Sequence, residues 1–259
     1  MPSTDAFARA KAAATEALEL DSSMAEAQTS LAFVNANYDF DWKAAEDGYR
    51  RAIALNPNYA NAHHWSATFL SAMGSHEQAI AESERARELD PLSPIINTWL
   101  GWRYHFARQY DQAIVQYRKA LDLDPNFAPA HLVLGQTYEQ KNMLKEAIAE
   151  LAKGVSLSGG GAVYLASLAH AYGVAGRRSD ALKLILKLER LAAGQHVSSY
   201  DMALAFVGVG EKDQAFSWLE RAASEHAPRL MFLNVDPRFD SVRSDPRFRE
   251  LVRRLGFPS

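Results

Sequence analysis

The chain has 259 residues, of which 48% are hydrophobic and 23% charged, the composition of a globular protein and not of a disordered or fibrous one. Its formal net charge of −3 offers no bulk attraction for nucleic acid or an anionic membrane, and the absence of cysteine excludes disulfides, thiolate nucleophiles and sulfur-ligated zinc. No apolar run approaches the ~20 residues that span a bilayer, and Lys11, Glu16 and Glu19 interrupt the opening segment as a leader would not be interrupted, so a cytoplasmic location is expected.

Residues 5–21 predict a lone helix, and 1–24 reads as half of a helix pair, as in a piece cut from a longer array. From residue 25 a repeat takes over. The phrases AIALNP, ARELDP and ALDLDP end at Pro57, Pro91 and Pro125, 34 residues apart. Each proline ends a helix, because it lacks an N–H and biases the residue before it away from helical geometry. The units run 25–57, with one extra residue, then 60–91, 94–125, 128–158, 161–191 and 197–224. Within a unit a first helix (Leu100, Gly101, Tyr104; Leu134, Gly135, Tyr138) turns into a second (Ala113, Tyr117, Ala120; Ala147, Leu151). The small residues let paired helices approach and the large ones fill the space between them. The fourth unit stops at Gly159-Gly160-Gly161, and because Ala162 and Val163 follow instead of Lys and Ser or Thr, this reads as a connector and not a phosphate loop. A longer link, Leu191 to Ser199, is expected to loosen or redirect the array.

Residues 228–259 leave this register. They contain Asp236-Pro237-Arg238-Phe239 and again Asp245-Pro246-Arg247-Phe248, then an amphipathic helix, with seven arginines against four acids. The expected role is a cap on the open end of the stack, its arginines facing solvent, with DNA contact the weaker reading.

The 34-residue period and its markers resemble the tetratricopeptide repeat (TPR) family over nearly the whole chain. Tyr38–Trp42, His63–Trp65, Asp90–Asn97, Gly210–Ala222 and the DPRF tail further resemble the C-terminal TPR region of bacterial multidomain regulators of kinase, adenylate cyclase or winged-helix type. None of those output domains' signatures occurs here, and regulators of this kind can place such a region on either side of a membrane. The resemblance implies an all-α, right-handed α-solenoid of about six repeats (25–227) between the N-terminal half-repeat and a C-terminal capping helix. It also implies a non-catalytic module for protein or peptide partners, without cofactor or metal. Carried over unit by unit, the family register places Asn37, Asn61, His64, Thr68, Trp102, His105, Gln136, Glu139, His170 and Tyr200 on a concave peptide groove. On this expectation Trp102→Ala or His64→Ala weakens partner binding and leaves the melt nearly unchanged. The carboxylate clamp of some TPR proteins needs Lys, Asn and Arg, but Thr29, His64, Thr98 and Leu132 stand at the corresponding positions, so an acidic tail is not the expected ligand. Adjacent His63 and His64 cannot grip one metal as residues at i and i+4 could. The alternative function is self-association through the ends, giving a homodimer.

Overall fold

The computed structural model describes residues 3–192 and 197–257, and fourteen α-helices succeed one another there with no strand among the described residues. Helix α1 (Ser3–Leu20) stands alone. Six pairs follow: α2 (Ala25–Val34) with α3 (Trp42–Leu55), α4 (Ala60–Ala72) with α5 (His76–Leu89), and α6 (Pro94–Phe106) with α7 (Tyr110–Leu123). The others are α8 (Ala128–Gln140) with α9 (Leu144–Leu157), α10 (Ala162–Val174) with α11 (Arg178–Ala192), and α12 (Ser199–Gly208) with α13 (Lys212–Ser224). Two short 3₁₀ turns, Pro228–Phe232 and Pro237–Val242, lead to α14 (Pro246–Arg254).

One backbone position sets the spacing of the pairs. Phe40, Gly74, Arg108, Asn142, Gly176 and Gly210 follow at intervals of 34 residues, all left-handed, with φ of 53, 80, 60, 58, 74 and 79°. Each reverses the chain after a first helix. From the second pair on, the next amide donates to a carbonyl five residues back, as in Ser75 to Leu70 (2.9 Å), Gln109 to Tyr104 (2.8 Å) and Glu211 to Phe206 (3.0 Å). This closure satisfies carbonyls that a helix end would otherwise leave open. In the first pair the corresponding bond, Asp41 to Asn35 at 3.0 Å, spans six residues. The segment Asn35–Asp39 is a π-helical turn, which absorbs the one extra residue of the first unit. The late start of α12 shortens that helix, and the turn spacing from Gly176 to Gly210 is kept; residues 193–196 of the preceding link lie outside the described residues.

The first helices α2, α4, α6, α8, α10 and α12 pack in succession against one another, and each second helix packs on its own partner and on the next first helix. The first helices thus form the inner wall of a solenoid and the second helices its outer layer. Arg50, Arg51, Arg85, Arg118, Lys119 and Lys183 on the second helices are exposed, as their register requires. A polar tie recurs at the same position: His63 Nε2 donates to the Pro57 carbonyl (2.9 Å), Asn97 Nδ2 to that of Pro91 (3.0 Å) and His131 Nε2 to that of Pro125 (3.0 Å). These residues anchor each first helix to the proline that ended the previous unit.

Close approach explains the small residues. A Cβ on Gly101 would lie 2.4 Å from the Tyr117 ring, and one on Gly135 would lie 2.6 Å from Leu151. Between α10 and α12 the contact is backbone on backbone, since a Cβ on Gly173 would meet the Gly208 carbonyl oxygen at 2.3 Å. A main chain held in a helix cannot yield as a side-chain tip can. Gly173→Ala is therefore expected to cost about 1–3 kcal/mol by overpacking, read as a lower urea midpoint at unchanged slope. An unchanged midpoint would show that α10 and α12 separate freely.

Candidate functional site

The inner wall is lined by register positions that fall one turn apart on the first helices. Of the ten residues assigned to a peptide groove, only Asn61 is exposed; the other nine are buried. Several are consumed by bonds between neighbouring helices. Thr68 Oγ1 accepts from Arg103, His105 Nδ1 pairs with Thr137 Oγ1 at 2.8 Å, and Gln136 Nε2 donates to Ser167 Oγ at 2.9 Å. Asn37 Nδ2 donates to the Phe33 carbonyl of its own helix at 3.0 Å. His64 forms an edge-on ring contact with Trp65, centroids 4.8 Å apart.

What covers the wall is the tail. Phe232 lies flat on Phe106, with centroids 5.1 Å apart and planes 15° apart, and tilts against Trp102 at 4.8 Å. Met231 and Val235 join the same cluster. One turn further, Asp236 caps the second 3₁₀ turn by accepting from the Arg238 amide at 3.0 Å. The Arg238 guanidinium folds back on that carboxylate through Nε (3.0 Å) and Nη2 (2.6 Å). Tyr200 of α12 donates its hydroxyl proton to Asp236 Oδ2 at 2.9 Å, and Phe239 meets the Tyr200 ring edge-on at 5.4 Å. Both members of the ion pair are buried. The two 3₁₀ turns are thus a plug in the inner face, while α14 packs on α13 at the end of the stack through Phe248 and Leu251 and the ion pairs Arg247–Asp213 and Arg254–Glu220. The tail's arginines are not all solvated, because Arg238 points inward.

The electrostatics follow from that burial. Desolvation pushes the Asp236 carboxyl up, but the Arg238 guanidinium outweighs it and holds the group well below the usual carboxylate range. Burial opposes the charge on Arg238 as well, and Asp236, with smaller help from Tyr200 and Glu139, keeps it charged. Burial drives the Tyr200 phenol well above its ordinary value. His64 and His105 lose protons on burial, each pushed down to about 3. Arg103 is fully buried, its guanidinium donating to Thr68, and desolvation lowers its pKa to about 9.

The plug is also tied at its rim. Arg108, in the turn after α6, grips Asp240 with two bonds of 2.7 and 3.0 Å. His226 Nδ1 donates to the Tyr38 carbonyl at 2.8 Å, and the Trp42 indole donates to the Leu255 carbonyl at 3.0 Å while stacking on Phe257 at 5.3 Å. The first repeat and the tail are therefore in direct contact. One stretch of the inner face stays open, an uncharged cleft of about 370 Å³ lined by Phe7, Thr29, Phe33, Tyr59 and Trp65 among others. Among the described residues no group of three or more His, Asp or Glu gathers to hold a metal ion, and no helix is long and apolar enough to cross a membrane.

Phe106, Phe232, Asp236 and Arg238 were not among the residues assigned to the groove from sequence. The available signal was Leu230-Met231-Phe232-Leu233 with Val235, an apolar run too short to be another helix pair and followed directly by the first Asp-Pro-Arg-Phe.

A solenoid of helix pairs with a continuous inner wall is the architecture of an interaction scaffold. More particularly, residues 49–81 and 128–159 match family models described as tetratricopeptide repeat, and residues 108–142 match one described as TPR repeat. A comparison with curated protein sequences found no match. Solved structures of similar fold include Pseudomonas aeruginosa pilF, at 25% identity over 74% of this chain and 87% of that one, TM-score 0.56. The type IV pilus biogenesis factor PilW shares 19% identity over 76% of this chain and 89% of its own, TM-score 0.62. Human IFIT1, solved as a dimer with m7Gppp-AAAA, shares 20% over 96% of this chain and 59% of its own, TM-score 0.68.

Two predictions follow from the plug. Asp236→Ala and Arg238→Ala are each expected to cost about 3–5 kcal/mol, because each leaves a buried charge without its partner. The double variant should cost clearly less than the sum, and strict additivity in denaturation would mean that the pair is not coupled. The histidines set a pH dependence. With His64 and His105 pushed down to about 3 in the fold and near 6.5 when unfolded, the unfolded chain binds more protons in between. Stability is then fully present above pH ~6.5 and lost progressively toward pH ~3. Urea midpoints at pH 7.5, 6 and 4.5 should fall in that order, and His105→Gln should flatten the slope. A flat series from the unaltered chain would refute the assignment.

Proposed function

We propose that the chain is a non-catalytic protein-interaction module of a bacterial signalling or transcription regulator, with the inner face of the array as its partner surface. The observation that carries this reading is the plug itself: an irregular polypeptide segment lies on the inner wall with its aromatic ring, carboxylate and guanidinium all engaged. A surface that holds such a segment in cis has the shape and polarity to hold one in trans. The groove assignment changes in one respect. Trp102 and His64 are buried structural residues, so substituting them alters stability as well as binding, and the exposed test positions are Asn61 and the cleft around Trp65.

The second reading is self-association through the ends, and α1 is the observation that favours it. With the extra residue of the first unit allowed for, its positions equivalent to Ala113 and Tyr117 of α7 are Ala10, which is exposed, and Ala14, which is buried, whereas both α7 residues are completely buried under a first helix. The C-terminal end is less available, because Leu255 and Phe257 are engaged by Trp42.

The test is display of random peptides against the immobilised chain. Enriched peptides should lose at least tenfold in affinity on Asn61→Ala with Trp65→Ala, and keep it on Arg85→Ala in the outer layer. Binding that depends on the outer layer would reject the inner face. A mass that doubles with concentration, with no peptide enriched, would favour the ends instead.

A further inference from the structure

The inner face is occupied, and the occupant has the properties of a ligand. It lies outside the repeat register, it is built of two short 3₁₀ turns, and it joins the array through a single reversal at His226 (φ 49°). Its contacts include those of peptide recognition, one ring seated against Trp102 and Phe106 and one polar turn held by Tyr200, alongside Leu230, Leu233, Phe239 and Val242, which are buried with α12 and α13. The polar part is incompletely satisfied. Among the described residues Arg238 Nη1 has no hydrogen-bond partner, and neither does His170 Nδ1, which lies 3.0 Å from Glu139 Oε1 but off the line of a hydrogen bond. Buried groups left open in this way cost free energy that a better-fitting segment would recover.

The tail also stops short. Tyr38 meets His226, the reversal that leads into the tail, at 5.3 Å and Phe7 of α1 at 5.2 Å, and beyond Phe7 the cleft around Phe33 and Trp65 continues the same face. The clamp there repeats the one that holds Phe232. With the π-turn residue allowed for, Phe33 and Tyr38 stand at the register positions of Trp102 and Phe106, and Phe7 stacks on both, as Phe232 contacts both in the third repeat. A longer segment entering from outside could therefore fill the tail's seat and gain apolar contact in the cleft as well.

We propose that residues 228–243 are a ligand held in cis, which a partner polypeptide of the same chemistry displaces: a bulky aromatic side chain followed four residues later by an Asp-Pro-Arg turn carrying its own ion pair. This rests on the reading of the inner face as the partner surface and specifies what it selects. The tether gives the tail a high effective concentration, so an untethered competitor must gain contacts the tail lacks or meet a weakened tail. The selected ligand carries arginine toward Glu139, and an acidic C-terminal peptide does not fit.

The absence of native cysteine allows a direct test. Ser241, exposed at the rim, is replaced by cysteine in the full chain (Ser241→Cys) and spin-labelled, and a synthetic peptide of residues 228–243 is titrated in. The label should pass from immobile to mobile as the peptide displaces the tail. Half-displacement should need at least tenfold less peptide when Phe232→Ala is added to the chain, since that change weakens the tail and leaves the wall intact. A peptide with alanine at its phenylalanine and arginine positions should displace nothing. An immobile label at saturating peptide in both chains would overturn the proposal. If the Phe232→Ala chain does not fold, hydrogen exchange of the unaltered chain decides: amides of 228–243 should exchange at least tenfold faster than those of α8 and α9, and equal rates would show a permanent core element. Random peptides that bind the inner face and leave the label immobile would overturn this inference and leave the interaction reading standing.

Discussion

A chain that must reverse direction after each first helix needs a residue with positive φ, and in this array the requirement falls at every 34th position. Glycine meets it at three of the six sites, and Phe40, Arg108 and Asn142 accept the strain, which is on the order of 1–2 kcal/mol for a residue with a Cβ. Equal spacing brings the first helices side by side, close enough for the Gly173 and Gly208 backbones to touch. Corresponding side chains then line up in rows along one face. The seat for Phe232 and the row of Glu139, His170 and Tyr200 are products of that alignment and not of any single helix.

The tail brings charge into this face in an inexpensive form. In both Asp-Pro-Arg-Phe segments the aspartate accepts from the amide two residues on, and the arginine folds back onto it: Arg238 on Asp236 in the interior, Arg247 on Asp245 at the surface. The identical geometry in two different environments shows that the pair forms locally. Proline fixes the start of the turn, and the carboxylate is already engaged when the segment meets the wall. Burying two charges separately would carry the full desolvation cost of each, whereas a preformed pair that also receives the Tyr200 hydroxyl carries much less.

The repeat array was legible in the sequence because its signals are local. Prolines 34 residues apart, glycines where helices cross and the single extra residue of the first unit can each be read within one window, and the π turn at Asn35–Asp39 is the physical form of that extra residue. The inner face was only half legible. Register places Trp102, His105, Glu139 and Tyr200 on the right wall, but does not say what lies against it. The contact between Phe106 and Phe232 joins residues far apart in the chain with no periodicity to announce it. A surface rich in aromatics and amides has the same composition whether it awaits a partner or is already covered. The amphipathic pattern around Phe248 and Leu251 announces the helix that caps α13, but the basic composition of 228–259 conceals that Arg238 faces inward while Arg247 and Arg253 face out.

The bond from the Trp42 indole to the Leu255 carbonyl links positions 213 residues apart. An open repeat array behaves as a one-dimensional lattice, in which each unit feels only its neighbours and melting begins at whichever terminus is weaker. Joining the first unit to the last through the tail turns the lattice into a loop. Each terminal unit then gains a second neighbour, fraying from either side must first break a contact shared with the other, and the array is drawn toward a single all-or-none transition. The same closure removes the spring-like extensibility of an open superhelix, so this scaffold would present a partner with one fixed curvature for as long as the tail stays in place.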